Sequence, residues 1–396
     1  MMSKSRFALL AAPLLIAVSG FAIAQQHGSP TPPKVSFAAH AQDIPFDLFR
    51  GNRVVIAGTI NGQATDIMLD TGASVTTVDR AFARAIGLPE GRKITAQGAG
   101  GPTEAEIVSG VTLKVGGMTF SDLTVGVMDL APVSRGIGRP LTVVLGREFF
   151  NNAVVSIDWA ANRLHVSAKE AFAPPAGATA LQLKRKGPFN VIPVAIAGDT
   201  AIDALLDLGN GGALSVPRTY WGDRPVLASL RYAEGRRGGV GGLHPARSAT
   251  IPSVTLAGKT FANVPATLSE GGNDHDPTQM ANVGIGLLRQ FHVDLDLGRD
   301  RIYLTPRSDA PPFERDRSGT RLDLVGDRLK VAFVSPQGPA AAAGLKEGDE
   351  IVAIDGHKVT ADYYKSRDWA RGAAGTPVVL QRADGSSVTV TLTDYF

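Results

Sequence analysis

The sequence of 396 residues contains no cysteine, few aromatic residues and no marked excess of charge of either sign. Without cysteine there are no disulfide bonds and no thiol nucleophile, so stability must come from apolar cores. Lys and Arg number 40 against 37 Asp and Glu, and they are scattered along the chain. This balance predicts no nucleic-acid partner. The His residues show no metal-ligand spacing, and we expect neither a metal nor a cofactor.

A single apolar run approaches the length of a membrane span, and it lies at the N-terminus. It covers residues 7–24, follows a short basic region and ends in the small residues Ala22 and Ala24. This order of features is typical of a secretory signal peptide. We therefore predict a signal peptide at residues 1–24, a flexible leader at residues 25–44, and a bacterial protein that is periplasmic or secreted. An uncleaved membrane anchor is the alternative, and after cleavage we expect no stable membrane insertion.

Glycine and proline are abundant, with 45 and 25 residues, and this indicates a mostly β protein with many turns. Residues 54–74 and 191–210 repeat one pattern: an apolar strand, a glycine turn, a second apolar strand and an Asp-x-Gly turn. The two turns contain Asp70 and Asp207, at a spacing of 207 − 70 = 137 residues. Such a spacing of similar units predicts a duplication.

Two downstream features repeat at nearly the same spacing. A hairpin that begins at Asp158 recurs at Asp296, 296 − 158 = 138 residues later. We also match residues 144–146, Val-Leu-Gly, with residues 284–286, Gly-Ile-Gly. Proline-rich breaks then divide the chain, and the predicted units are a first lobe at 45–170, a linker at 171–180, a second lobe at 181–306, a linker at 307–317 and a C-terminal domain at 318–396.

The two Asp-x-Gly turns suggest one kind of chemistry. If Asp70 and Asp207 meet at a pseudo-twofold axis, the two carboxyls cannot both ionise at close range. One then holds a proton and polarises a carbonyl, while the other takes a proton from water. Gly72 and Gly209 allow the backbone to turn sharply beside each acid.

The segment Leu69-Asp70-Thr71-Gly72-Ala73-Ser74, with Val-Leu-Gly at residues 144–146, resembles the signature of retropepsins and pepsins. The resemblance covers both lobes. It implies two tandem pepsin-like β-barrel lobes around a cleft, an aspartic endopeptidase acting on polypeptides, and Asp70 and Asp207 as the catalytic pair. It also implies a scaffold for this pair, formed by Thr71, Gly72, Ala73, Leu208 and Gly209.

The family closes glycine-rich hairpin flaps over its substrate, and two glycine runs resemble such flaps. We place the first flap at Gly98, Ala99, Gly100 and Gly101, and the second around Gly239 and Gly241. Neither contains the tyrosine of pepsin-like flaps. The second lobe also departs from the family, because Leu208 replaces the hydroxyl residue that follows the acid. Two alternatives therefore remain: a non-catalytic peptide-binding protein, and a peptidase whose pair forms between two chains through Asp70.

Residues 318–396 resemble the PDZ domains of bacterial envelope proteases. The pattern is a strand, a short Ala-rich helix ended by Gly344, and a strand that closes in an Asp-Gly hairpin at Asp355. We expect a second helix near residues 362–370 and a terminal hairpin around Asp384. The resemblance implies that the domain binds a peptide or a protein C-terminus by strand addition. The predicted groove residues are Gly319, Thr320, Arg321 and Leu322.

Overall fold

The computed structural model describes residues 32–38, 41–270 and 280–396. The predicted signal peptide at residues 1–24 lies outside the described residues. Among the residues that are described, no helix is long and apolar enough to cross a membrane. The predicted flexible leader at residues 25–44 needs correction, because residues 34–37 form a strand and a second strand begins at residue 41.

Strands dominate the first repeat, and only short helices interrupt them. Its elements are β1 (Lys34–Phe37), β2 (Ala41–Pro45), β3 (Asp47–Phe49), β4 (Arg53–Ile60), β5 (Gln63–Leu69), β6 (Thr77–Asp79), α1 (Arg80–Ala85), β7 (Arg92–Gly98), β8 (Gly101–Val115), β9 (Met118–Met128), α2 (Ala131–Ile137), β10 (Val143–Leu145), α3 (Arg147–Asn152), β11 (Val154–Asp158) and β12 (Arg163–Ser167).

The second repeat has the same sequence of elements in outline. They are β13 (Thr179–Gln182), β14 (Lys184–Lys186), β15 (Phe189–Ile196), β16 (Ile202–Leu206), β17 (Leu214–Val216), α4 (Arg218–Trp221), α5 (Pro225–Ala228), β18 (Tyr232–Gly239), β19 (Gly242–Leu256), β20 (Lys259–Ser269), β21 (Ala281–Val283), α6 (Ile285–Leu288), β22 (Phe291–Asp296) and β23 (Arg301–Pro306).

Each repeat forms one sheet, and equivalent strands pair with one another in the two sheets. The first lobe has the order β1-β9-β6-β10-β5-β4-β8-β7, with β3 beside β4, and the second has β14-β15-β16-β21-β17-β20-β19-β18. In both lobes the strand before the acidic turn is central and pairs in parallel with a short strand, β10 or β21. A central strand is covered on both faces, which explains its unbroken apolar end, Ile67 to Leu69 and Ala204 to Leu206.

The lobes are joined by a third sheet to which both contribute. Its order is β13-β23-β22-β11-β12-β2, and β11 of the first repeat pairs antiparallel with β22 of the second. Val155 lies opposite Leu295, and Ile157 lies opposite Val293. Their side chains belong to one apolar core that extends through both lobes. This shared core holds the two acidic turns in a fixed relation.

The C-terminal domain has its own sheet and core. Its elements are β24 (Thr320–Val325), β25 (Arg328–Val334), α7 (Pro339–Ala342), β26 (Glu350–Ile354), β27 (His357–Lys358), β28 (Pro377–Arg382) and β29 (Ser387–Thr391). The sheet order is β24-β25-β26-β28-β29, with β27 beside β26. β24 is an edge strand of this sheet, and it lies beside α2 of the first lobe.

The second helix expected near residues 362–370 is wrong. Two short 3₁₀ turns, Tyr363–Lys365 and Trp369–Arg371, stand in its place. Between them Asp368 has φ −142° and ψ 85°, outside the helical region. Its carboxylate accepts two hydrogen bonds from the guanidinium of Arg50 in the first lobe, at 2.9 and 3.1 Å. This tertiary ion pair holds the backbone in a conformation that a continuous helix would not allow.

Candidate active site

The same backbone hydrogen bond positions the acid at both turns. The strand β5 ends at Leu69, and the backbone N–H of the next residue, Asp70, donates to the carbonyl of Leu145 on β10 at 3.1 Å. In the second lobe the backbone N–H of Asp207 donates in the same way to Val283 on β21, also at 3.1 Å. Parallel pairing therefore places each acid at the carboxyl end of a buried strand, where the chain turns towards the cleft.

This register corrects the downstream alignment of the repeats. The structural counterpart of Val-Leu-Gly at 144–146 is Asn282-Val283-Gly284, because β10 and β21 pair with equivalent strands. The predicted match with residues 284–286 was two residues too late. The corrected spacing agrees with that of the hairpins at Asp158 and Asp296. It also places Asn282 where the first lobe has Val144.

The two carboxyls meet at the interface of the lobes, and the opposing glycines provide the space. A Cβ on Gly72 would lie 2.9 Å from the Cγ of Asp207, and one on Gly209 would overlap the carboxyl of Asp70. Each carboxyl therefore lies against the turn of the opposite lobe, close enough for Asp207 to act on Asp70. The structure thus brings together both predicted acids within one chain.

Thr71 braces the two turns across the lobe interface. Its buried hydroxyl donates to the carbonyl of Leu206 at 2.8 Å and accepts from the backbone N–H of Leu208 at 3.0 Å. The brace is one-sided, because Leu208 has no hydroxyl with which to reciprocate. Its side chain is fully buried in the shared apolar core instead. In the second lobe, apolar packing of Leu208 therefore takes the place of a second hydrogen-bonded brace.

The electrostatics of the pair favour one shared proton. Burial raises the pKa of Asp70 well above its usual range, and the neighbouring Asp207 carboxyl raises it further. The backbone N–H of Gly72, which donates to Asp70 Oδ1 at 2.8 Å, and the charge of Arg53 act in the opposite direction. Two carboxyls this close cannot both ionise without a large cost. The pair is therefore expected to hold one proton between its two carboxyls.

Arg53 is a site residue that the sequence analysis missed. Burial lowers its pKa to about 10, and its charge acts on both carboxyls. Its guanidinium lies against Gly211, where a Cβ would overlap Nη1. Arg53 opens β4, and its sequence neighbours give no signal of this role, since only tertiary packing brings β4 beside the turn of Asp207.

The predicted flap residues form the tips of two hairpins, β7–β8 and β18–β19, and these tips touch. The backbone N–H of Gly100 donates to the carbonyl of Val240 at 2.8 Å. Nε2 of His244 donates to the carbonyl of Gly100 at 2.6 Å. A Cβ on Gly100 would overlap the carbonyl of Gly242. Glycine at these positions therefore allows two backbones to approach each other closely.

The second flap also reaches the first lobe. The side chain of Val240 packs against an apolar cluster that includes Met68, Val144 and Ala73, the residue that follows the first acidic turn. Ile137 at the end of α2 belongs to the same cluster and also packs against the core of the C-terminal domain. A continuous apolar path thus runs from the site to that domain.

The predicted groove residues of the C-terminal domain line a cavity of about 260 Å³ between this domain, the first lobe and the second flap. Its walls include Gly319 to Leu322, Arg50 and Arg236. The loop expected to hold a peptide carboxylate is already occupied, because Asp316 accepts from the backbone N–H groups of Ser318 and Gly319 at 3.1 and 2.8 Å.

Comparison with protein-family models finds two matches in the chain. Residues 56–149, which contain Asp70 and the first flap, match the aspartyl protease family. Residues 330–382 match the PDZ domain family, and Asp207 lies outside both segments. No curated protein matches the chain. The chain therefore contains a retropepsin-like aspartyl protease domain followed by a PDZ domain.

Proposed function

We propose that the protein is an aspartic endopeptidase whose catalytic pair, Asp70 and Asp207, forms within a single chain. The observation that supports this proposal best is the close approach of the two carboxyls across the lobe interface, each against the glycine of the opposite turn. The Thr71 brace and the opposing glycines hold the contact in place. This is the arrangement that general acid–base hydrolysis by an activated water requires.

The two acids take different roles, because two carboxyls this close share one proton. We assign the proton to Asp70, whose pKa is raised by burial and by its neighbour, and the charge to Asp207, both of whose oxygens accept hydrogen bonds from amides. A water between the carboxyls gives a proton to Asp207 while its oxygen bonds to the scissile carbonyl carbon. Asp70 gives its proton to the carbonyl oxygen, and a gem-diol forms. Asp207 then gives its proton to the amide nitrogen while a gem-diol hydroxyl returns a proton to Asp70, the C–N bond breaks, and an acid and an amine are released.

The flaps would cover the extended substrate during these steps. Their tips meet through Gly100 and Val240, so they must separate before a polypeptide can enter. When they close again, they exclude water and strengthen the electrostatic interactions inside the cleft. Val240, which packs against the same apolar cluster as Ala73, would leave an apolar subsite for a substrate side chain.

The test is hydrolysis of casein from acidic to neutral pH by the mature chain and its variants. We expect Asp70→Asn and Asp207→Asn each to abolish cleavage, while Asp384→Asn, an exposed acid in a hairpin turn, retains it. Loss of activity in Asp70→Asn alone would favour a pair formed between two chains. Wild-type protein that cleaves nothing at any pH, yet binds casein, would favour the non-catalytic binding protein.

We propose further that the PDZ domain binds polypeptide partners along the free edge of β24. Edge strands accept an additional strand through their unpaired backbone groups. Because α2 of the first lobe lies beside this edge, a bound peptide must displace it. Asp316 already uses the N–H groups of the carboxylate loop, which favours an internal peptide segment over a free C-terminus.

Export to the periplasm or the medium is also part of the proposal. It rests on the basic and apolar N-terminus with its small residues Ala22 and Ala24. Expression of the full chain in a bacterium, followed by N-terminal sequencing of the product, tests it. We expect a mature protein that begins at Gln25, and a retained N-terminus in the cytoplasmic fraction would contradict this.

A further inference from the structure

The carboxylate of Asp207 is held by an amide network that involves two asparagines. Nδ2 of Asn282 donates to Asp207 Oδ2 at 2.6 Å, and the backbone N–H of Asn210 donates to Oδ1 at 3.0 Å. Nδ2 of Asn210 donates to Oδ1 of Asn282 at 2.8 Å. Because the Asn282 carbonyl is used as an acceptor, its NH₂ group is fixed towards the carboxylate. Both oxygens of Asp207 thus accept a hydrogen bond from an amide.

Among the described residues, the structure shows no counterpart of this network in the first lobe. The residues at the equivalent positions are Val144 on β10 and Ala73 after the turn, and neither side chain has a hydrogen-bond donor. The hydrogen-bond donor that the structure gives to the Asp70 carboxyl is the backbone N–H of Gly72, and the Asp207 carboxyl lies nearby. The two halves of a pseudo-symmetric pair therefore differ in the number of amides aimed at each acid.

A carboxylate only accepts hydrogen bonds, so donors such as amide N–H groups stabilise the charged form over the protonated one. We propose that Asn282, oriented by Asn210, is a positioning residue that keeps the negative charge of the pair on Asp207 and the proton on Asp70. The inference rests on the proposed function, in which this pair is catalytic. It assigns a role to each acid in the resting enzyme, because a proton on Asp207 would weaken the hydrogen bonds that its oxygens accept from the amides.

The other charged groups around the pair do not produce this asymmetry. Arg53 acts on both carboxyls and so favours ionisation of either acid. Arg50 and Arg371 lie farther along the same side and act on Arg53. On the flap side, His244 donates to the carbonyl of Gly100. The raised pKa of Asp70 agrees with a proton that resides on that acid.

The first experiment compares pH profiles of kcat/KM for wild type and Asn282→Val, the residue found at the equivalent position of the first lobe. A hydrogen bond donated to a carboxylate stabilises the charged form and lowers the pKa of the carboxyl by on the order of 1 to 2 units. We therefore expect the acid limb of the profile to move upwards by roughly 1 pH unit. Val283→Ala, a buried neighbour on the same strand, is the matched control and should lose stability without moving the limb.

The second experiment does not depend on turnover. A small aryl epoxide is opened by an ionised carboxylate, which forms a hydroxyalkyl ester that peptide mass spectrometry locates. We expect esterification of Asp207 in wild type, and of both acids in Asn282→Val. A wild-type ester on Asp70, or no ester on Asp207, overturns the inference, as does an unchanged acid limb in Asn282→Val. If Asp207 alone is esterified while wild type cleaves nothing, the positioning role stands and the proposed function fails.

Discussion

The hydroxyl of Thr71 in the first lobe donates a hydrogen bond to the carbonyl of Leu206 in the second, at 2.8 Å. The same oxygen accepts from the N–H of Leu208 at 3.0 Å, so one side chain satisfies two backbone groups of the opposite turn. All of these groups are buried at the lobe interface. The position of Asp207 relative to Asp70 therefore depends on a hydroxyl from the other lobe.

Thr71→Val preserves the shape of the side chain and removes both hydrogen bonds. Each buried backbone group that loses its partner costs about 1–3 kcal/mol, so we expect a loss of roughly 2–5 kcal/mol in the free energy of unfolding. Urea unfolding of the full chain measures it. Thr71→Ser keeps the hydroxyl and should retain most of the stability, whereas equal stability of Thr71→Val and wild type would show that the brace contributes little.

Asp70→Asn should raise thermal stability at neutral pH, because the pKa of Asp70 is raised in the folded state. Such a group adds stability below the unfolded pKa, about 3.9, and that contribution is lost as pH rises through the folded pKa. The amide is neutral in both states and takes up no proton on folding, so the variant does not lose this stability as pH rises. We expect a Tm increase of roughly 2–5 °C near pH 7, which disappears below about pH 4. Scanning calorimetry across pH measures it.

The control for that experiment is Asp384→Asn. Hydrogen bonds from Ser386 lower the pKa of this exposed acid, so its substitution should bring no gain in Tm at neutral pH. A Tm gain in Asp70→Asn that is the same at acidic and neutral pH would contradict the assigned proton affinity.

Gly100→Ala should impair substrate turnover without unfolding the protein. The new Cβ would overlap the carbonyl of Gly242 and push the flap tips apart. A displacement of about 1 Å over a site reduces rates by up to 10²-fold, so we expect kcat/KM to fall by roughly 10- to 100-fold with an unchanged Tm. Gly239→Ala is the matched control, since its Cβ would lie 3.4 Å from that of Ala99, an ordinary contact. Equal activity of both variants would argue against tip contact during catalysis.

Asp368→Asn should loosen the PDZ domain from the first lobe. The substitution removes the charge that pairs with Arg50, whose guanidinium also lies 3.9 Å from the ring centre of Tyr364. A charge-assisted hydrogen-bonded pair in a partly buried position contributes about 1.5–3 kcal/mol. We expect amide hydrogen exchange in β24 to rise at least about tenfold, with tighter binding of peptides to the domain.

The matched control for the PDZ experiment is Glu350→Gln. It breaks the exposed pair with Arg328, at 2.6 Å, on the same domain, and should leave exchange in β24 unchanged. Exchange in β24 that is equally fast in Asp368→Asn and wild type would mean that the lobe does not protect this strand.

Much of the site follows from local pattern. An apolar strand followed by Asp-Thr-Gly, and glycine runs between alternating strands, are sufficient to locate Asp70 and both flap tips. The sequence comparison missed Asn282 because it aligned residues 144–146 with Gly-Ile-Gly at 284–286. The correct counterpart, Asn-Val-Gly at 282–284, begins two residues earlier. Strand register resolves that ambiguity, and a short strand of three residues has too little sequence pattern to define its register.

The amino-acid sequence by itself determined the class of fold, the duplication, the two acids and the PDZ unit, because each depends on residues close together in the chain. Only the tertiary structure decided that the acids meet within one chain and that Arg53 and Asn282 lie beside them. It also decided that two 3₁₀ turns flank Asp368 where a helix was expected. Those outcomes depend on hydrogen bonds and charges between segments far apart in sequence. Their strength is set by burial and distance, which arise only when both lobes and the PDZ domain pack together.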